Sequence, residues 1–123
     1  MNQNLKVLVV DDEPDVVGIL SYNLKKEKYV VFQAYNGKQC LESAMLNHPD
    51  IIIMDIRMPE MSGIETCRAI RQNEKLKDIP ILFLTADSDE YTTMSAMEAG
   101  GDHFITKPIR PALLIGMIKE LIK

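Results

Sequence analysis

Ile51-Ile52-Ile53-Met54-Asp55, continued by Ile56-Arg57-Met58-Pro59, is the stretch on which the fold turns. The apolar run has the length of a buried strand and delivers one carboxylate, Asp55, to the point where the chain must change direction. Met58-Pro59-Glu60-Met61-Ser62-Gly63 then reads as a loop, and Ile64 begins a helical pattern. An acid at the exit of a buried strand is either a cap for the next helix or a working group, and the flanking sequence has to decide between them.

Upstream, Leu5-Lys6-Val7-Leu8-Val9-Val10 is another short β-branched run, and it stops at Asp11-Asp12-Glu13. Pro14 suits the first turn of a helix, and acids there suit the helix dipole. Val16, Val17, Leu20 and Leu24 recur at helical spacing, and Tyr29-Val30-Val31-Phe32-Gln33-Ala34 reads as a strand before the turn pair Asn36-Gly37. Cys40, Leu41, Ala44 and Met45 then mark one helix face, closed by Pro49. Downstream, Ile64, Cys67, Ile70 and Arg71 outline a third helix, and Pro80-Ile81-Leu82-Phe83-Leu84 a fourth strand stopping at Thr85. A weaker helical pattern runs roughly from Asp89 to Gly100, with Met94, Met97 and Ala99 expected to face inward. His103-Phe104-Ile105-Thr106 is a short fifth strand ending at Lys107-Pro108, and the last helix starts near Arg110. Strands alternating with helices over short connections predict an α/β domain built on a parallel sheet. Nearly continuous apolar strands predict helices on both of its faces.

Composition narrows the function classes. The 123 residues fit one domain, and 46% hydrophobic with 26% charged is ordinary for a globular protein. A formal net charge of −4 gives no electrostatic reason for direct contact with nucleic acid or an anionic membrane. No apolar run approaches the roughly 20 residues of a membrane span, and Met-Asn-Gln-Asn is no signal peptide, so a cytoplasmic location is expected. Cys40 and Cys67 fall within helical patterns and read as buried, reduced thiols. The eight methionines carry no cofactor spacing and read as core filler.

The polar residues of interest all sit at carboxyl ends of strands: Asp11 and Asp12 after the first, Asp55 on the third, Thr85 on the fourth and Lys107 on the fifth. In a parallel sheet these ends share one edge, and ligands bind there where neighbouring connections leave to opposite faces. If the first and third strands are neighbours, three carboxylates meet in one crevice, so a pKa must rise or a cation must enter. An all-oxygen acidic site suits a hard divalent cation. A carboxylate nucleophile with a cation, a hydroxyl (Thr85) and a point charge (Lys107) is the set that phosphoryl transfer requires. Taken singly, Asp11 or Asp12 reads first as a helix cap, Thr85 equally as a cap or a working group, and Lys107 as a solvated lysine.

Val9-Val10-Asp11-Asp12-Glu13-Pro14, residues 50–63, Leu84-Thr85-Ala86, and Ala99-Gly100-Gly101-Asp102 with Phe104-Ile105-Thr106-Lys107-Pro108 together resemble the receiver domain of two-component response regulators, over essentially the whole chain. The resemblance implies a doubly wound, flavodoxin-like (βα)5 fold with strand order 2-1-3-4-5. It implies Asp55 as phosphoacceptor for a sensor histidine kinase, and Mg²⁺ (or Mn²⁺) held by Asp11, Asp12, Asp55 and the Arg57 backbone carbonyl. Thr85 and Lys107 would contact the phosphoryl group, Phe104 would act as the switch aromatic, and Lys107-Pro108 would be cis. Such a protein is not a turnover enzyme; it assists its own phosphorylation and dephosphorylation. Phe104 stands where many receivers have tyrosine, so a hydroxyl-dependent contact on the output face is absent. Arg57 and Asp87 are expected to flank the acceptor and slow hydrolysis.

The last helix points to the output. Leu113, Leu114, Ile115, Met117, Ile118, Leu121 and Ile122 cover an arc of roughly 200°, wider than the roughly 100° one core face needs. The excess, read as Leu113, Ile115, Met117, Ile118 and Ile122, predicts an interface, here a homodimer through the fourth helix, fifth strand and fifth helix. Thr106-Lys107-Pro108-Ile109-Arg110-Pro111 resembles the OmpR/PhoB-type transcription-factor branch, although the charged residues of that branch's usual dimer are missing. The domain is accordingly expected to be the front part of a longer regulator that reaches DNA through a further domain, with a stand-alone CheY-like relay as the alternative. A flavodoxin would need a phosphate-cradling loop where Asp11-Asp12-Glu13 stands. A phosphatase of the haloacid dehalogenase type would need its nucleophile after the first strand.

Overall fold

The computed structural model describes residues 5–86 and 90–122. Its elements alternate as β1 (Lys6–Val10), α1 (Pro14–Lys26), β2 (Val30–Ala34), α2 (Gly37–Asn47), β3 (Ile51–Asp55), α3 (Gly63–Arg71), β4 (Ile81–Thr85), α4 (Glu90–Glu98), β5 (His103–Thr106) and α5 (Pro111–Leu121). All pairings are parallel and the sheet order is β2-β1-β3-β4-β5, as the resemblance implied.

Side-chain alternation along the strands divides the core in two. Val7, Val9, Ile51, Ile53, Leu82, Leu84 and Ile105 meet Val17, Leu20 and Leu24 of α1 and Leu114 and Ile118 of α5. Leu8, Val10, Ile52, Met54, Ile81 and Phe83 meet Cys40 and Ala44 of α2, Cys67 and Ile70 of α3, and Ala96 of α4. Every residue of β3 and β4 is buried, which explains why they read as unbroken apolar runs. Because α1 leaves β1 to one face and α3 leaves β3 to the other, the switch point lies between these neighbouring strands.

Two expectations about helix faces are corrected. Met94 and Met97 are 58% and 38% exposed, and α4 turns Ala96 inward instead, with Ala99 buried just beyond it. Small residues let α4 approach Phe83 and Cys67 closely, so its larger apolar side chains are left outside. Ile118, expected at an interface, is fully buried beside Leu114. The two form the centre of the α5 core stripe, with Ile115, Met117, Leu121 and Ile122 packed along its flanks, and only Leu113 among the large apolar side chains of α5 is largely exposed. Cys40 and Cys67 are buried free thiols, and burial, reinforced by Cys67, pushes Cys40 up to about 12.

Asp55 does not cap α3. Ser62 does, in a reciprocal capping box: the Glu65 N–H donates to Ser62 Oγ (3.1 Å) and the Ser62 N–H to Glu65 Oε1 (2.9 Å). This brings Gly63 against the end of β3, where its N–H donates to the Ile56 carbonyl (2.8 Å). A Cβ on Gly63 would be driven into the Asp55 carbonyl oxygen, which is backbone and cannot swing aside. Gly63→Ala is therefore expected to cost about 1–3 kcal/mol, measured by urea unfolding.

Candidate functional site

The register sets the site. Val10 pairs with Met54 and Asp55 with Leu84, so Asp11 and Asp55 leave the sheet nearly level, with Thr85 one step further along β4. Thr85 pairs with Thr106, and the Lys107 N–H donates to the Thr85 carbonyl (2.7 Å), which turns the Lys107 stem back over the same edge. Carboxylate oxygens of Asp11, Asp12 and Asp55 lie within 4.8 Å of one another. Asp11 and Asp55 are buried and Asp12 is exposed, so the cluster opens to solvent on one side. A cleft of about 520 Å³ flanks Asp12, Arg57, Met58 and Thr92 there.

Asp11 does not cap α1, whose N-cap is Glu13; its two oxygens face different partners. Its Oδ1 accepts the Glu13 N–H (2.9 Å), a local turn contact just before the helix. Its Oδ2 is buried and, among the described residues, has no aligned hydrogen-bond donor, although the Lys107 ammonium lies 3.0 Å away as an ion pair. Lys107 also lies 3.4 Å from Glu13 Oε1 and 3.6 Å from Asp55 Oδ2. One ammonium thus faces several carboxylates. Burial and then the Asp11 charge push Asp55 up to about 6, against the pull of Lys107 and a hydrogen bond from the Arg57 backbone. Burial would lower Lys107, but the contacts with Asp11, Asp55 and Glu13 outweigh it and hold the ammonium above its usual range. A dense, oxygen-only set of three carboxylates, faced by a single ammonium, fits a hard divalent cation.

The remaining residues fall around this centre. Thr85 is buried at the end of β4, and Phe104 on the edge strand β5 is partly exposed. The Lys107–Pro108 peptide is cis. Arg57 is exposed on the loop after β3, whereas Asp87 lies outside the described residues. Glu13 was missed as a site residue. Its signal was available: an acid two residues past Asp11 whose backbone is fixed by the following proline.

Residues 7–119 match the response regulator receiver domain. The chain belongs to that family. This receiver is 38% identical over 120 residues to the alkaline phosphatase synthesis transcriptional regulatory protein PhoP of Bacillus subtilis, covering 98% of this chain and 49% of PhoP. The receiver therefore spans about half the length of that curated relative. Among solved structures it resembles the chemotaxis response regulator CheY4 of Vibrio cholerae, with a TM-score of 0.91 and 30% identity over 97% of this chain and 99% of that one. It also resembles a response regulator from Chloroflexus aurantiacus, with a TM-score of 0.93 and 32% identity over 98% of each chain. No helix among the described residues is long and apolar enough to cross a membrane.

Proposed function

We propose that Asp55 accepts a phosphoryl group from the phosphohistidine of a sensor histidine kinase and that this receiver thereby switches a transcriptional output. The observation that carries this reading is the placement of Asp55 at the end of β3, sharing one crevice with Asp11 and Asp12, with Lys107 3.6 Å away. An Asp55 carboxylate oxygen forms the new bond to phosphorus while the phosphorus–nitrogen bond of the donor breaks and its electron pair returns to the imidazole. Asp11, Asp12, Asp55 and the Arg57 carbonyl are the groups to hold Mg²⁺ or Mn²⁺, which when bound neutralises charge developing on the phosphoryl oxygens. Lys107 contributes a second positive charge, and the Thr85 hydroxyl a hydrogen bond to the transferred group. Arg57, exposed on the loop after β3, screens the acyl phosphate from water. None of these groups turns over a substrate; the receiver acts on its own side chain.

The test is intact-mass spectrometry after incubation with acetyl phosphate and Mg²⁺. Wild type is expected to gain one phosphoryl group and to fail to do so in chelator, and Asp55→Asn to gain none. Equal gain by both proteins would overturn Asp55 as the acceptor.

Phosphorylation draws Thr85 toward the acceptor, and Phe104, now outward, turns into the space released. This reshapes the face where Tyr91, Met94 and Met97 of α4, Phe104 of β5 and Leu113 of α5 stand exposed. An apolar strip of this kind fits a second copy of the domain. With beryllofluoride and Mg²⁺, sedimentation velocity is expected to show dimers, and Leu113→Lys to weaken pairing by about tenfold. A concentration series that is monomeric throughout would count against pairing. The name of PhoP, a transcriptional regulatory protein about half of whose length this chain spans, supports a transcriptional regulator with a separate DNA-binding part. The likeness to CheY4, a chemotaxis response regulator, supports a CheY-like signalling relay as the second reading.

A further inference from the structure

Glu13 is the acid beside Lys107 that lies outside the candidate metal-binding set. Its position is fixed by the fold. The Glu13 N–H donates to Asp11 Oδ1 (2.9 Å), its carbonyl accepts from Val16 (3.0 Å) and Val17 (3.2 Å), and the Pro14 ring confines it to extended backbone at φ −96° and ψ 110°. The opposite partner is fixed as well, because Lys107 is hydrogen-bonded through its N–H to the Thr85 carbonyl. Two anchored backbones therefore bring Glu13 Oε1 to 3.4 Å from the Lys107 ammonium, nearer than Asp55 Oδ2 at 3.6 Å. Asp11 and Asp55 would share their charge with a cation once the site is loaded. Glu13, exposed on the rim, would keep its own.

We propose that Glu13 is a positioning residue that competes with the phosphoryl oxygens on Asp55 for the Lys107 ammonium, and so sets how tightly the site holds a phosphoryl group. This rests on the reading of Asp55 as phosphoacceptor. The pair is built into the resting domain and must loosen before Lys107 can serve the acceptor. Removing the Glu13 carboxylate leaves Lys107 with one rival fewer.

The experiment is calorimetric titration of beryllofluoride in saturating Mg²⁺ against wild type, Glu13→Gln, Lys107→Met and the double variant, with Mg²⁺ alone titrated in parallel. Glu13→Gln is expected to bind beryllofluoride about two- to fivefold tighter, the range of an ion pair with an exposed partner, without tighter binding of Mg²⁺ alone. The gain is expected to vanish in the Lys107→Met background, where no ammonium is left to compete for. Glu13→Ala, which also deletes the carboxylate, is expected to follow Glu13→Gln. Unchanged or weaker beryllofluoride binding by both Glu13 variants would overturn the proposal. The same gain with and without Lys107 would overturn it too, leaving only a general charge effect. Failure of wild type to bind beryllofluoride would bring down the Asp55 reading and this proposal together. Wild-type binding that is lost in Asp55→Asn keeps the two separable.

Discussion

Arg71→Ala is expected to lower the stability of the domain by about 3 kcal/mol, seen as a fall of roughly 10 °C in Tm. Arg71 ends α3, and its guanidinium closes three segments at the amino edge of the sheet. Nε and Nη2 both donate to the Gly100 carbonyl (2.9 and 2.7 Å), and Nη1 donates to the carbonyls of Lys77 (3.0 Å) and Ile79 (2.7 Å). Nη2 also meets Asp102 Oδ2 at 3.0 Å, the same oxygen that accepts the Ile81 N–H at 2.8 Å. Gly100, at φ +111°, is held against the Arg71 stem, where a Cβ would collide with it. Deleting the side chain leaves carbonyls unpaired around the entry to β4 and β5.

Arg71→Lys separates charge from shape. A lysine could keep the Asp102 pair, but one ammonium cannot fork to three carbonyls on two segments. The lysine variant is therefore expected to recover less than half of the loss. Full recovery would mean that the ion pair, partly exposed on both sides, was the main term. The clamp sits at the edge opposite Asp55, so folded Arg71→Ala is expected to take phosphate from acetyl phosphate as wild type does.

This clamp also marks the limit of the sequence as a source. The alternation of strand and helix, the buried β3 and the strand-end acids are local patterns, and they are legible because burial and chain reversal impose them residue by residue. Arg71 appeared only as part of a helix outline, since most of its partners are main-chain carbonyls, which no residue type announces. Met94 and Met97 misled for a different reason: apolar character predicts burial only on average, and α4 turns Ala96 inward, with Ala99 buried just beyond it. Ile118 was misplaced because a wide apolar arc on α5 does not say where its centre faces, and that is decided by the sheet face and α1 with which it shares a core. At the site, Asp11, Asp12, Asp55, Thr85 and Lys107 were legible as strand ends. Glu13 stood in the sequence as an acid two residues past Asp11, but its contact with Lys107 was not legible, because that depends on where the Lys107 stem folds back.

The second large effect is electrostatic, and it reverses the usual sense of a mutation at a functional carboxylate. Asp55→Asn is expected to stabilise the metal-free domain by up to about 3 kcal/mol, measured in chelator well above pH 6. The folded domain raises Asp55 from 3.8 to about 6, with burial as the first cause and Asp11 the second. A raised carboxylate prefers its neutral form in the fold, so its ionisation subtracts stability in full above the folded value. The penalty shrinks as pH falls through 6 and is gone below 3.8, where Asp55 is protonated whether folded or not. The gap between variant and wild type in Tm should therefore close over that interval. A gap of constant size would trace to packing of the amide rather than to charge. Well above pH 6, Mg²⁺ is expected to raise the Tm of wild type and to narrow the gap from the other side, because a cation relieves the same repulsion that the Asp55→Asn change removes by deleting the charge. An Asp55→Asn variant that gained as much as wild type from Mg²⁺ would separate cation binding from the acceptor and move it onto Asp11 and Asp12 alone.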